Sequence, residues 1–136
     1  GMRATVYGVD WGVGPTTGAT RALVGGGTGT LISNLRAAGV LDITTLIVGE
    51  STRSAAMFED GSLDFVMIDA CHELDAVLSD VQAWAKKVRK GGILAGHDYQ
   101  GMGCPEVALA VDSYFGCAPL AKQCPHASSC WWHQVI

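Results

Sequence analysis

Polar side chains stand where short apolar runs stop: Asp10 after "VYGV", Glu50 and Ser51 after "LIVG", Asp69 and His72 after "VMI", and His97 and Asp98 after "ILAG". Each type has a definite chemistry at such a place. A carboxylate at a strand end accepts hydrogen bonds from both hydroxyls of a ribose, which suits Asp10. Asp69 and Asp98 at adjacent strand ends are able to share a hard cation such as Mg²⁺, which takes oxygen ligands. His97 or His72 can serve as a base. A structural reading competes, because Asp and Ser cap helices that follow strands and a single His is as readily just hydrogen-bonded. Ser51 fits both readings, and Glu73 and Asp75 read as acids at a helix start. For Asp69, His97 and Asp98 the chemical reading is the stronger one. Apolar strands have little reason to aim charge into one crevice unless something polar binds there.

The elements that must position these residues follow from the apolar pattern. Thr5 to Val9 and 43–49 ("ITTLIVG") read as strands, 63–70 ("LDFVMIDA") as a strand covered on both faces, and 93–99 ("ILAGHDY") as a fourth. Residues 12–30 read as a long glycine-rich loop. Leu31, Leu35 and Ala38 share a helical face closed by Gly39. A short helix is expected in "STRSAAMFEDG", closed at Gly61. Leu74, Val77, Leu78, Val81, Trp84, Ala85 and Val88 form one helical stripe, with Lys86, Lys87, Arg89 and Lys90 at its negative end and Gly91 and Gly92 as a stop. Pro105 opens a helix over 105–115, and "CWWHQVI" ends the chain as a strand. Strands alternating with helices predict an α/β fold, Rossmann-like, with a mostly parallel sheet and helices on both faces. In that fold the four polar strand ends meet on one rim.

Bulk composition narrows the classes. The 136 residues are 49% hydrophobic and 16% charged, with 18 glycines, which fits one compact domain over 2–136. Gly1 before Met2 reads as a residue left by tag removal. A net charge of −4 without a basic stripe argues against nucleic acid as a partner. No apolar run reaches the roughly 18 residues of a membrane span and no leader opens the chain, so a cytoplasmic protein with reduced cysteines is expected. Cys124, His126, Cys130 and His133 are spaced too irregularly for an ordinary zinc site.

The block "GSLDFVMIDACHELDAVLSDVQAWAKKVRKGGILAGHDY", followed by "PEVALAVDSYFG" and a terminal "WW", resembles the class I S-adenosylmethionine-dependent methyltransferases, in the branch with "IDxxH" and "GGxxxGHDY". The similarity runs from about Val6 to Trp132. It implies S-adenosylmethionine as cofactor and a small molecule as substrate. Asp10 would hold the ribose, Trp11 would lie beside the adenosine, and Glu50 and Ser51 would border the adenine. Asp69 would stand at the reacting end, with His97 and Asp98 facing substrate or a divalent metal. Cys71 replaces an acid common before the "IDxxH" histidine, which weakens the metal reading.

Against that family the chain is expected to start at the second strand, without the first strand, its "GxGxG" loop and the first helix. "ALVGGGTGT" (22–30) is only a weak candidate for a displaced loop. An absent central strand leaves about five to ten ladder bonds unmade at a net ~1 kcal/mol each, against a total stability of about 5–15 kcal/mol. The gap is therefore expected to close by pairing of Val6–Val9 with Phe65–Ile68, or to be filled by another segment or a second copy, with a homodimer favoured. Three functions follow as expectations: a methyltransferase, a non-catalytic self-associating remnant, or a metal-dependent enzyme using Asp69, His97 and Asp98.

Overall fold

The computed structural model describes residues 4–11, 27–99, 104–116 and 130–136. The chain forms two compact units, Gly1–Ser54 and Ala55–Ile136. Both are α/β in construction, with strands whose pairing is mostly parallel.

In the first unit, β1 (Val6–Asp10) runs parallel to β2 (Thr44–Val48), in register from Val6 opposite Thr44 to Asp10 opposite Val48. Between them comes α1 (Gly27–Ala37). It starts one turn before the predicted Leu31, inside the stretch expected to be loop. The apolar period begins only at Leu31, so nothing in it reports a polar first turn, whose N–H groups lack helical partners anyway. The predicted stop holds. Gly39 adopts φ +71°, its N–H donates to Arg36 O at 3.1 Å, and Val40 N–H donates to Leu35 O at 3.0 Å. These paired bonds are a Schellman closure, which needs a left-handed residue at Gly39. A 3₁₀ turn (Leu41–Ile43) leads into β2. The next helix, α2 (Ser51–Ala55), stops well short of Gly61.

The second unit holds β3 (Leu63–Ile68), α3 (Leu74–Ala85), β4 (Val88–Gly96), α4 (Pro105–Phe115) and β5 (Trp131–Gln134). The strand order is β3-β4-β5, with β3 parallel and β5 antiparallel to β4. Val88, expected at the end of the helical stripe, opens β4 opposite Leu63 instead. The reason is local: Gly61 N–H donates to Lys86 O and Leu63 N–H to Lys87 O, both at 2.9 Å, which draws the chain into the sheet straight after α3. The cations expected to offset the helix dipole pair with acids flanking or opening β3: Lys87 with Asp60 at 2.6 Å and Arg89 with Asp64 at 2.7 Å. Gly91 and Gly92 lie within β4, where the register jumps between Leu63 and Phe65. A Cβ on Gly92 would lie 2.7 Å from Asp64 O, so only glycine lets the backbones approach that closely.

The hydrogen bond and charge of Lys87 hold the exposed Asp60 carboxyl below its ordinary value near 3.8. A depressed carboxylate stabilises the fold above its unfolded value and stops doing so as pH falls through the lower folded value. The stability advantage of the wild type over Lys87→Met is therefore expected at pH 7 and should shrink below pH 3.8. Denaturant titrations of both proteins at pH 7 and in acid measure it.

The core of this unit joins Val77, Val81 and Trp84 of α3, Val107, Ala110 and Val111 of α4, Leu94 of β4 and Trp131 of β5. Helices α3 and α4 pack together on the side of the sheet that carries Val66 and Leu94. The opposite face is open: Phe65 is 57% and Met67 44% exposed. Within this unit, taken by itself, the described residues cover β3 on one face. A nearly continuous apolar run cannot say which of its alternating sides is covered. Within its own unit β1 pairs with β2, and β3 with β4. Each pair satisfies one edge of its strands within its own unit.

Candidate functional site

The ends of β3 and β4 bring together four of the predicted residues in the second unit. His97 N–H donates to Ile68 O at 3.0 Å, continuing the parallel ladder by one step beyond Gly96 and setting His97 beside Asp69. His97 Nδ1 lies 3.1 Å from Asp98 Oδ2 and 3.9 Å from Asp69 Oδ1. His72 Nε2 meets the same Asp98 Oδ2 at 3.0 Å. Two imidazoles thus converge on one carboxylate oxygen.

The backbone that permits this is unusual at one residue. Asp98 has φ +58°, alone among non-glycine residues in the described chain. Asp tolerates the left-handed region better than most residues. Next to it, the buried Tyr99 donates its hydroxyl to Asp112 Oδ1 of α4 at 2.5 Å, which ties the turn to a helix of the core. Glu106, in the first turn of α4, accepts from Leu74 N–H at 2.7 Å and so fixes the start of α3. Neither role was readable in advance, because each joins segments far apart in sequence.

The first unit carries a separate group. Asp10 and Glu50 stand at neighbouring carboxyl ends, where Gly49 N–H donates to Asp10 O at 3.0 Å. Trp11, just beyond β1, is 60% exposed. The Glu50 carboxylate is held by its own helix, accepting from Thr52 Oγ1 at 2.7 Å and pairing with Arg53 Nε at 3.1 Å. Ser51 begins α2. Asp10, Trp11, Glu50 and Ser51 therefore belong to one unit, and Asp69, His72, His97 and Asp98 to the other.

The donor set at the end of β4 does not suit Mg²⁺. That ion asks for near-octahedral oxygen ligands, whereas here an imidazole nitrogen sits next to both carboxylates and a second imidazole is bonded to Asp98. Two groups of side chains have ligand-bearing atoms near one another, His72 with Asp98 and Cys104, and Asp69 with His97 and Asp98, and both mix nitrogen with oxygen or sulfur. Of the four tail residues judged too irregularly spaced for zinc, Cys124 and His126 lie outside the described residues. The first part of "ALVGGGTGT" lies outside them too, and Gly27 to Thr30 form the first turn of α1. Among the described residues no helix is long and apolar enough to cross a membrane.

A methyltransferase-domain family matches residues 3–99, and the chain belongs to that family. Its solved structural relatives share the fold at low identity. The O-methyltransferase NovP is 20% identical with a TM-score of 0.67, over 97% of this chain and 60% of NovP. An S-adenosylmethionine-dependent O-methyltransferase from Thermotoga maritima is 14% identical with a TM-score of 0.59, over 98% of this chain and 61% of that one. The cofactor-bound protein Rv0187 from MTB is 16% identical with a TM-score of 0.66, over 96% and 61%. The chain thus spans less than two thirds of the length of these structures. No curated protein sequence matches it.

Proposed function

We propose that the chain takes part in S-adenosylmethionine-dependent methyl transfer to a hydroxyl group of a small molecule. The observation that carries this reading is the convergence of His72 Nε2 and His97 Nδ1 on Asp98 Oδ2 at 3.0 and 3.1 Å. Family membership and the O-methyltransferases of like fold support it.

A hydroxyl becomes an effective nucleophile when a positioned base takes its proton as the new bond forms. Asp98, accepting from the Nδ1–H of His97, selects the tautomer in which His97 Nε2 carries the lone pair. His97 is thus the base, and Asp98 steadies the imidazolium that forms. His72 is less suited to that task, since its Nδ1 is already engaged by Cys104 at 3.2 Å. Asp69 Oδ1 lies 3.9 Å from His97 Nδ1, on the same side of the ring as Asp98.

S-adenosylmethionine, when bound, supplies an electrophilic methyl group. At the end of β1 the Asp10 carboxylate offers two oxygens to vicinal ribose hydroxyls, and the exposed Trp11 beside it offers an aromatic face to the adenosine. Glu50 and Ser51, at the end of the neighbouring strand, would border the base. The test is to incubate the protein with S-adenosylmethionine and a panel of phenols, sugars, amines and thiols, following acceptor-dependent release of S-adenosylhomocysteine by mass spectrometry. Turnover with hydroxyl compounds is expected. Turnover confined to amines or thiols would overturn the oxygen assignment, and none with any acceptor would overturn the transfer reading.

A further inference from the structure

Cys104 makes a contact that methyl transfer does not use. Its Sγ lies 3.2 Å from His72 Nδ1, and the other nitrogen of that ring, Nε2, lies 3.0 Å from Asp98 Oδ2. Thiol, imidazole and carboxylate are therefore in series, from the start of α4, through the loop after β3, to the turn after β4. The geometry points to Cys104 as a nucleophilic thiol, a site of covalent modification by low-molecular-weight disulfides and other soft electrophiles.

The order of the three groups carries the inference. Asp98 has only acceptor oxygens when ionised, so the neutral His72 ring presents Nε2–H to it and leaves the Nδ1 lone pair toward the sulfur. That is the tautomer a base needs to remove the thiol proton. A nucleophile within hydrogen-bond reach of a base, itself oriented by a third group, is the general arrangement of an activated side chain. The position of the sulfur adds to it. Cys104 is the N-cap of α4, its side chain makes no capping bond to that helix, and an anionic sulfur there faces the positive end of the helix dipole. Ligand atoms of His72, Asp98 and Cys104 also lie within 4.8 Å of one another, so the thiol chemistry is tested on metal-free protein.

With a disulfide as the electrophile the step balances simply. The thiol proton passes to His72 Nδ1, and Cys104 Sγ attacks one sulfur of the disulfide. A new S–S bond forms as the old one breaks, and the departing thiolate takes the proton back from His72. The products are a mixed disulfide on Cys104 and one free small thiol, with no net oxidation. Because His72 and His97 share Asp98 Oδ2, a group attached at Cys104 would also disturb the carboxylate that holds the proposed methyl-transfer base.

The test needs no methyl acceptor, so its outcome is separable from that of the methyl-transfer reading. The full chain, reduced and freed of metal by a chelator, is exposed to oxidised glutathione at pH 7 and sampled over time for peptide mass spectrometry. Cys104 is half-buried and Cys71 exposed, so accessibility alone would make Cys71 faster. Cys104 is expected instead to form its mixed disulfide about tenfold faster than Cys71 or Cys130, and His72→Gln should remove that lead. The wild-type comparison stands even if the variant folds poorly. Modification of Cys71 at the same rate or faster, or a lead for Cys104 that survives in folded His72→Gln, would overturn the proposal.

Discussion

Gly96→Ala is expected to lower stability by about 2 kcal/mol or more, toward the upper end of what overpacking a core costs. A Cβ at Gly96 would lie 2.5 Å from three atoms of the Trp131 indole, Cε2, Cζ2 and Nε1. A Cβ atom does not come that close to a non-bonded neighbour, so the indole or the strand must move. Trp131 has nowhere easy to go. It is 1% exposed and packed against Phe115 at a centroid distance of 5.9 Å, and it is paired through its own backbone with Gly96. For a chain of this size such a loss lowers the melting temperature by roughly 5–10 °C. Gly39→Ala is the useful comparison: it meets nothing within 4 Å and has only its φ of +71° to strain, so its cost should be nearer 1 kcal/mol. Denaturant titration of both variants measures the difference. A Gly96→Ala protein as stable as wild type would mean that β4 and Trp131 do not meet as described. The same variant would bear on function, because Gly96 immediately precedes His97 and its shift would move the imidazole.

The second large effect concerns Asp98→Asn. The amide keeps the size of the carboxylate and one acceptor oxygen, but it loses the charge that steadies an imidazolium on His97. Its NH₂ group can also face a ring nitrogen and select the opposite tautomer. A positioned base contributes typically 10²–10⁴-fold to a reaction of this type, so methyl transfer should fall by at least about 100-fold. Affinity for S-adenosylmethionine should stay within about twofold, because the ribose assignment falls on Asp10 in the other unit. Single-turnover transfer to the best acceptor, measured alongside cofactor affinity, separates the two. An unchanged transfer rate would remove Asp98 from the reaction, and a parallel loss of affinity would make it a cofactor residue instead.

Several helix ends in both units were legible in the order of the residues. Pro105 marked the start of α4, whose observed span of Pro105–Phe115 matches the expected helix, and Gly39 marked the end of α1. These are signals set by one residue's own backbone, so they need no knowledge of the rest of the chain. The errors lie where two signals competed. Val88 fits the helical stripe by period, yet it joins β4 because the carbonyls of Lys86 and Lys87 accept from Gly61 and Leu63, more than twenty residues earlier in the chain. Similarly, "LDFVMI" is apolar at every position but Asp64, yet Val66 is buried while Phe65 and Met67 are exposed.

Site residues divide in the same way. Asp69, His72, His97 and Asp98 were identifiable because each follows an apolar strand, and the parallel register of β3 and β4 then sets three of them side by side. The shared oxygen of Asp98 and the thiol of Cys104 were not identifiable. Cys104 reaches His72 across 32 residues, through the packing of α4 on α3, and spacing along the chain carries no trace of such a meeting. The anchoring of the "GHDY" turn by Tyr99 on Asp112 is a third case, since the tyrosine was visible in the motif and its partner was not.

Calorimetric titration of S-adenosylmethionine into the wild-type chain and into Asp10→Ala bears most directly on the proposed activity. Wild-type protein should bind at one site per chain. Removal of the carboxylate takes away two charge-assisted hydrogen bonds to the ribose, each worth about 1.5–3 kcal/mol, so Asp10→Ala should show no measurable binding at concentrations that saturate the wild type. Binding by Asp10→Ala equal to that of the wild type, or no binding by either protein, would contradict the assignment of β1 as the strand that holds the methyl donor.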